Sequence, residues 1–143
     1  MLAHLNQVAE SLGLPFGVRT KTYNSRLAQE LGLWAETKGR GHRYHLAAFH
    51  AYFANGQNLA EKDVLLEIAA TAGLDPTAAE HVIDERSFSS HVLADWQLSR
   101  DRGVTAVPTF YMNGSSLTGA QSYDHLARFV EEAGGTPAHH TGQ

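Results

Sequence analysis

The 143-residue sequence contains no cysteine. A disulfide bond, a catalytic thiolate and a zinc site with cysteine ligands all require that side chain. All three are therefore excluded for this chain by itself, and we expect no thiol redox activity from it alone.

The sequence is also poor in clustered positive charge and in long apolar runs. Lys and Arg total 11 against 15 Asp and Glu, so the formal net charge is −4 at pH 7. The scattered cations offer no basic face for phosphates, and no segment approaches the roughly 20 apolar residues of a membrane-spanning helix. Residues 1–7 lack the cationic start and apolar run of a secretory signal. We therefore expect no nucleic-acid partner, no membrane partner and a cytoplasmic location.

Apolar residues recur at helical spacing in most of the chain before residue 103, which predicts a block of about five helices. Gly13, Gly39 and Gly73 are typical helix stops, and Asp75 followed by Pro76 is a typical start. Residues 14–18 are expected to be extended. The apolar repeats fall within residues 2–12, 27–35, 44–53, 64–72, 79–83 and 92–96, and Trp34 in the second of them is expected in the core.

The pattern changes after residue 103. Pro108 stands directly before a run of β-forming residues, and its missing N–H favours the first position of a strand or a sheet edge. Asn113 and Gly114 lie between residues 109–112 and 115–118, and this dipeptide is typical of a two-residue hairpin turn. The sequence therefore predicts a β-hairpin that begins at the proline.

A final helix is expected after the hairpin, with Ser122 as its N-cap and Gly134 as its stop. The length of 143 residues fits a single domain with one core. We interpret residues 1–102 as mainly helical, residues 103–135 as the proline loop, hairpin and last helix, and residues 136–143 as a tail.

Metal chemistry is not supported by the histidines, although His42, His45 and His50 fall within one segment. The segment contains neither cysteine nor a His-Glu-x-x-His pattern, so solvated surface histidines are the better interpretation. We predict no metal and no cofactor.

Three stretches together carry a resemblance to a known family. Residues 24–28, residues 49–59, and residues 103–110 with 119–121 are similar to the DsbA-like thioredoxin family, in particular its cytoplasmic FrnE-type branch. The resemblance covers nearly the whole chain and implies an α/β, thioredoxin-like fold with a helical insertion. It also implies a protein-disulfide oxidoreductase or isomerase in which a Cys-x-x-Cys pair attacks substrate disulfides.

In that family the cysteine pair opens a helix after the first strand, upstream of the point where this sequence begins. The expected fold is therefore incomplete: a helical block is followed by a β-hairpin and a C-terminal helix, without the first strand, the cysteine helix and the next strand. The chain is expected to be inactive by itself.

The resemblance assigns no catalytic residue but implies a substrate-binding site for a peptide or thiol substrate. Pro108 corresponds to the family's cis-proline, and Val107 to the residue whose backbone pairs with the substrate. Gly119 and Gln121 lie in the turn after the hairpin, and Asn24, where the helical insertion begins, is a further candidate. A cis bond would point the N–H and carbonyl of Val107 outward, where an extended peptide could pair with them.

Two other functions stay open. The related kappa glutathione transferases and 2-hydroxychromene-2-carboxylate isomerases share the helical insertion, and they use a serine or cysteine near the missing N-terminus. The absence of cysteine also favours a non-catalytic binding or assembly module.

An assembly prediction follows from the missing first strand. In the thioredoxin fold that strand would pair with residues 109–112, so its absence exposes a row of backbone donors and acceptors. We expect a homodimer in which this edge pairs with its symmetry mate or in which residues 14–18 cross over to fill the gap. The alternative is a monomer in which residues 14–18 fold back onto their own edge.

Overall fold

A computed structural model describes residues 2–18 and 21–136. The described chain forms two compact units, Met1–Ala94 and Asp95–Gln143. The organisation of the chain as a single domain stays a prediction, and the predicted tail lies, apart from Thr136, outside the described residues.

The first unit is helical, as the apolar repeats predict. Its elements are α1 (Leu2–Ser11), α2 (Arg26–Thr37), α3 (Gly41–Phe49), a π-helix (His50–Ala54), α4 (Lys62–Thr71), α5 (Pro76–Glu85) and the beginning of α6 (Ser89–Asp101). In the part of the chain that is described, none of the helices is long and apolar enough to cross a membrane.

Side-chain oxygens cap the starts of both α5 and α2. Asp75 caps α5 by accepting a hydrogen bond from the Thr77 N–H at 3.0 Å. At α2 the capping oxygen belongs to Asn24, whose Oδ1 accepts from the Arg26 N–H at 2.9 Å, while the Ser25 side chain makes no capping bond. Asn24 therefore has a structural role at the helix start.

The core of the first unit is formed by α2, α3, α4 and α5. Leu31, Leu65 and Tyr44 are fully buried in it, and Trp34 is buried as predicted. The Tyr44 hydroxyl donates to the Ala28 carbonyl at 3.1 Å, so the one polar atom of this ring is satisfied. Burial raises the Tyr44 pKa well above its ordinary value of 10, so the ring stays neutral.

The predicted helix over residues 44–53 is divided in two. After Phe49 the backbone widens into the π-helix, in which the Asn55 N–H donates to the His50 carbonyl five residues back, at 3.2 Å. The Phe53 carbonyl instead accepts from the Gly17 N–H at 2.7 Å. Gly17 approaches the Ala54 carbonyl so closely that a side chain there would collide with it. The carbonyl of Phe53, in the last turn of the π-helix, thus has its partner in the segment of residues 14–18, which has no regular secondary structure.

The second unit contains the end of α6, the hairpin and the last helix. Strand β1 (Thr109–Met112) pairs antiparallel with β2 (Ser115–Thr118), and α7 (Tyr123–Glu132) follows. Asn113 and Gly114 both have positive φ, at 47° and 83°, as a two-residue hairpin turn requires. The hairpin prediction is confirmed.

Side-chain hydrogen bonds hold the hairpin and α7 together. The Asn113 side-chain nitrogen donates to the Ala133 carbonyl at 2.7 Å, which ties the turn to the end of α7. Ser122 caps the start of α7 as predicted, because its hydroxyl oxygen accepts from the His125 N–H at 3.4 Å.

The second unit has little interior of its own. Among its described residues none is buried, and the only strand paired with β1 is β2. Phe110 and Tyr111 remain 38% and 40% exposed. The architecture is the predicted one, a mainly helical block followed by a two-stranded sheet and a C-terminal helix.

Candidate functional site

The loop between α6 and β1 is held in place by short-range backbone geometry. Gly103 has φ of 69° and ends α6, and the Val104 N–H donates back to the Ser99 carbonyl at 2.9 Å. At the other end the Thr109 hydroxyl donates to the Ala106 carbonyl at 2.7 Å. The Val107–Pro108 peptide bond between these anchors is cis.

Val107 is highly accessible in this loop. The residue is 91% exposed. Within the described residues, neither its N–H nor its carbonyl has a backbone hydrogen-bond partner. The residue therefore presents one free donor and one free acceptor to an incoming chain.

The opposite side of the loop is fixed by the end of the hairpin. The Pro108 carbonyl accepts from the Gly119 N–H at 2.8 Å, and Gly119 has φ of 91°, which favours glycine. Gln121 Nε2 donates to the Thr118 carbonyl at 2.8 Å, and Gln121 Oε1 lies 3.3 Å from His125 Nδ1. Gly119 is thus bonded to the loop itself, while Gln121 links the end of β2 to the start of α7.

Val107, Pro108, Gly119 and Gln121 all belong to the second unit, where Gly119 bonds to Pro108 and Gln121 bonds to Thr118, the last residue of β2. Asn24 belongs to the first unit. It borders a cavity of about 400 Å³ that is also lined by Arg26, Leu27, Ala60 and Arg86.

Two of the residues that line this cavity, Arg26 and Arg86, belong to a charge cluster around buried Glu30. Glu30 is 2% exposed and accepts from Arg86 Nε at 2.9 Å, from Arg86 Nη2 at 2.6 Å and from Arg26 Nε at 3.3 Å. A further bond runs from Arg26 Nη2 to the Ser89 hydroxyl at 2.8 Å. The Arg86 guanidinium, by hydrogen bonding to Glu30, lowers the pKa of that carboxyl below its usual range despite burial.

Sequence reasoning did not identify this cluster. One signal was available, because Glu30 falls between Leu27 and Leu31 on the apolar side of α2, and an acid there needs a cation. Arg26 stands four residues earlier, at helical contact distance. Arg86 is 56 residues away in sequence, so only the tertiary structure brings it to Glu30.

The histidines form no metal centre in the part of the chain described here. No group of three or more His, Asp, Glu or Cys side chains in residues 2–18 and 21–136 is placed to hold an ion. His45 lies 3.4 Å from a Glu36 carboxylate oxygen at the surface.

The chemistry that the loop offers is limited to its backbone groups. With no cysteine in the chain, it offers backbone groups to a ligand and no thiolate. In sequence order, a helical block followed by a cis-proline loop, a hairpin and a C-terminal helix is the arrangement of a DsbA-like, thioredoxin-type domain.

Comparison with known proteins agrees with this class. The family profile described as DSBA-like thioredoxin domain matches residues 1–131, and the chain belongs to this family. It is 26% identical over 132 residues to the uncharacterized protein YwbO of Bacillus subtilis (strain 168), which covers 90% of this chain and 66% of that protein.

Two further relatives carry functional names. The chain is 27% identical over 85 residues to the thiol:disulfide interchange protein DsbA of Pseudomonas syringae pv. tomato, covering 59% of this chain and 40% of that one. It is 26% identical over 148 aligned positions to the ClpXP adapter protein SpxH of Halalkalibacterium halodurans. The alignment covers 92% of this chain and 47% of that protein. The chain thus spans two thirds or less of the length of these relatives.

Proposed function

We propose that this chain is the substrate-binding portion of a FrnE-type thiol–disulfide oxidoreductase, in which Val107 holds an extended peptide beside Pro108. One observation carries the proposal: Val107 is 91% exposed, and its N–H and carbonyl lack backbone partners within the described residues. An extended peptide that pairs with both groups would be added as a strand. The redox thiols of such a reaction would have to come from outside these 143 residues.

Peptide titration with an isotopically labelled chain tests the pairing. The probe is an acetylated Ala-Val-Ser-Val-Ala amide, in which serine stands in for the substrate cysteine. We expect the amide signals of Val107 and Thr109 to shift. The same peptide with a methyl group on the central nitrogen should bind about 2- to 10-fold more weakly, because it lacks one hydrogen-bond donor.

Two variants separate backbone pairing from side-chain contact. Val107→Ala keeps the N–H and should bind as the native chain does, whereas Val107→Pro removes the N–H and should bind more weakly. Equal binding of the two peptides, or shifts confined to residues far from the loop, would remove support for the proposal.

A non-catalytic role is the second candidate, because the chain lacks cysteine and one relative is named an adapter protein. In this role the loop would hold another protein without acting on its disulfides. Replacing the probe's serine by cysteine discriminates between the two roles. A redox substrate site should prefer the thiol peptide, while a general binding module should not distinguish it from the serine peptide.

We also propose a homodimer that forms through the outer edge of β1. The support is that β1 pairs only with β2 in the described chain and that Phe110 and Tyr111 are partly exposed beside the open edge. Residues 14–18, the alternative partner for this edge, form no regular secondary structure, and the Gly17 N–H is hydrogen-bonded to the Phe53 carbonyl.

Sedimentation equilibrium at micromolar concentration tests this assembly. Phe110→Lys places a charge on β1 and should shift the mass towards the monomer, while Ser116→Lys on β2 is the matched control and should leave it unchanged. A monomer mass for the native chain over the whole concentration range would contradict the dimer.

A further inference from the structure

A cavity of about 600 Å³ in the first unit is bordered by α3, the π-helix and α4. Its volume falls within the range of small-ligand sites in proteins. The apolar residues of its lining are Leu46, Ala47, Ala51 and Ile68. Its polar lining residues include Arg43, His50, Asn55, Gln57 and Glu67. The cavity thus combines apolar surface with several polar groups, as ligand sites do.

Helical spacing brings two opposite charges to this cavity. Arg43 shares one side of α3 with Leu46 and Ala47, which follow it by three and four residues. Glu67 and Ile68 are consecutive on α4, which packs against α3. One cation and one anion therefore border the same space from neighbouring helices.

The π-helix and the turn after it bring two amide side chains to the cavity. The Asn55 N–H donates to the His50 carbonyl at 3.2 Å, and the Gln57 N–H donates to the Ala51 carbonyl at 2.9 Å. These backbone bonds fix Asn55 and Gln57 at the positions where they line the cavity. Short π-helical turns are rare in proteins and are frequent at functional sites.

The polar side chains of this cavity are unpaired within the described chain. In residues 2–18 and 21–136, no hydrogen bond or ion pair involves the side chain of Arg43, His50, Asn55, Gln57 or Glu67. Arg43 and Glu67 are both exposed. A ligand can therefore bind to both charges and both amides without breaking a bond within the protein.

We propose that this cavity binds a short peptide that has two free ends and an aliphatic side chain. The Arg43 guanidinium binds the terminal carboxylate through paired hydrogen bonds, and the Glu67 carboxylate accepts from the terminal ammonium group. The amides of Asn55 and Gln57 both donate and accept, so they match the two groups of a peptide bond.

The charge balance and the apolar lining define the ligand class. One cation with one anion matches a ligand that carries both charges better than a simple anion. Leu46 and Ile68 offer apolar surface to an aliphatic side chain. The cavity lies entirely in the first unit, so the proposal does not depend on the Val107 loop.

Titration of the isotopically labelled full chain with the dipeptide Ala-Leu tests the proposal. A ligand of this size that uses both charges should bind with a dissociation constant on the order of 1 mM. The amide signals of residues 55–57 and 67–71 should shift and saturate. The absence of a saturable shift in these signals up to about 20 mM peptide would overturn the proposal.

Four related ligands identify the groups that are recognised. Ala-Leu amide lacks the carboxylate, acetyl-Ala-Leu lacks the ammonium group, and Gly-Gly keeps both charges without the side chains. Free leucine keeps both charges and the side chain without the peptide bond. Each should bind at least about 5-fold more weakly than Ala-Leu. If any of the four binds as tightly as Ala-Leu, the assignment of the ligand class is wrong.

Two variants assign each charge to its partner. Arg43→Gln should weaken the binding of Ala-Leu and acetyl-Ala-Leu about 5-fold and change that of Ala-Leu amide less than about 2-fold. Glu67→Gln should weaken Ala-Leu and Ala-Leu amide about 5-fold and change acetyl-Ala-Leu less than about 2-fold. Because both residues are exposed and unpaired in the described chain, both variants should keep the fold.

Matched controls remove the same charges elsewhere. Arg128→Gln on α7 and Glu85→Gln at the end of α5 change exposed residues that do not line the cavity, and each should change Ala-Leu binding less than about 2-fold. Equal losses for Arg43→Gln and Arg128→Gln, or for Glu67→Gln and Glu85→Gln, would indicate a general charge effect and overturn the proposal.

Discussion

Glu30→Gln should destabilise the first unit strongly at neutral pH and hardly at all in acid. The substitution keeps the side-chain volume and one acceptor oxygen, but it removes the buried charge that Arg26 and Arg86 share. The packing around Leu31 is unchanged by it. The effect therefore isolates the charge from the shape of the side chain.

The magnitude follows from the hydrogen bonds. A bond to a charged group contributes about 1.5–3 kcal/mol against about 0.5–1.5 for a neutral one, so each charged bond that becomes neutral loses about 1 kcal/mol. Glu30 accepts three such bonds, the longest of them at 3.3 Å. Because water can solvate the exposed parts of the arginines again, we expect a loss of about 2 kcal/mol. This corresponds to a decrease of roughly 7 °C in melting temperature for a chain of this size.

The pH dependence has a defined sign. The folded-state pKa of Glu30 is lowered from its ordinary value of 4.5, first by the Arg86 hydrogen bonds. Its contribution is therefore fully present above the unfolded pKa and is lost as the pH falls through the folded pKa. The difference between the native chain and Glu30→Gln should be constant above about pH 5.5 and shrink below pH 4.5.

Urea unfolding from pH 3 to pH 7, followed by the fluorescence of buried Trp34, measures this difference. Glu36→Gln on the same helix is the control, because Glu36 is exposed and should change stability by less than about 0.5 kcal/mol. A Glu30→Gln difference that stays constant down to pH 3 would mean that packing, not charge, is responsible, and would refute the reasoning.

Three further outcomes are expected. Leu65→Ala should lower the free energy of unfolding by about 3–5 kcal/mol because Leu65 is fully buried, whereas Leu46→Ala at an exposed site should cost less than about 1 kcal/mol, both measured by urea unfolding. Gly114→Ala should destabilise the hairpin by about 1 kcal/mol or more because φ is 83° there, and hydrogen exchange of the strand amides would detect it. The pure chain should not reduce insulin disulfides above a heat-inactivated control, since it contains no thiol.

The local sequence determined most of the elements. Apolar spacing fixed the helices of the first unit, because a stripe of this period can be buried only by a helix. Asn113 and Gly114 determined the hairpin, since both tolerate positive φ. Asp75 and Ser122 marked helix starts through side-chain oxygens that reach N–H groups two or three residues ahead. All of these interactions lie within a few residues of one another.

Only the tertiary structure decided the rest. The Gly17 N–H donates to the Phe53 carbonyl, which is 36 residues away in the sequence, at the end of the π-helix. Glu30 meets Arg86 only because α2 packs against α5, and the left-handed backbone at Arg86 is not encoded by a glycine. Such contacts join residues far apart in the chain, and each residue alone is compatible with many partners, so local pattern does not specify them.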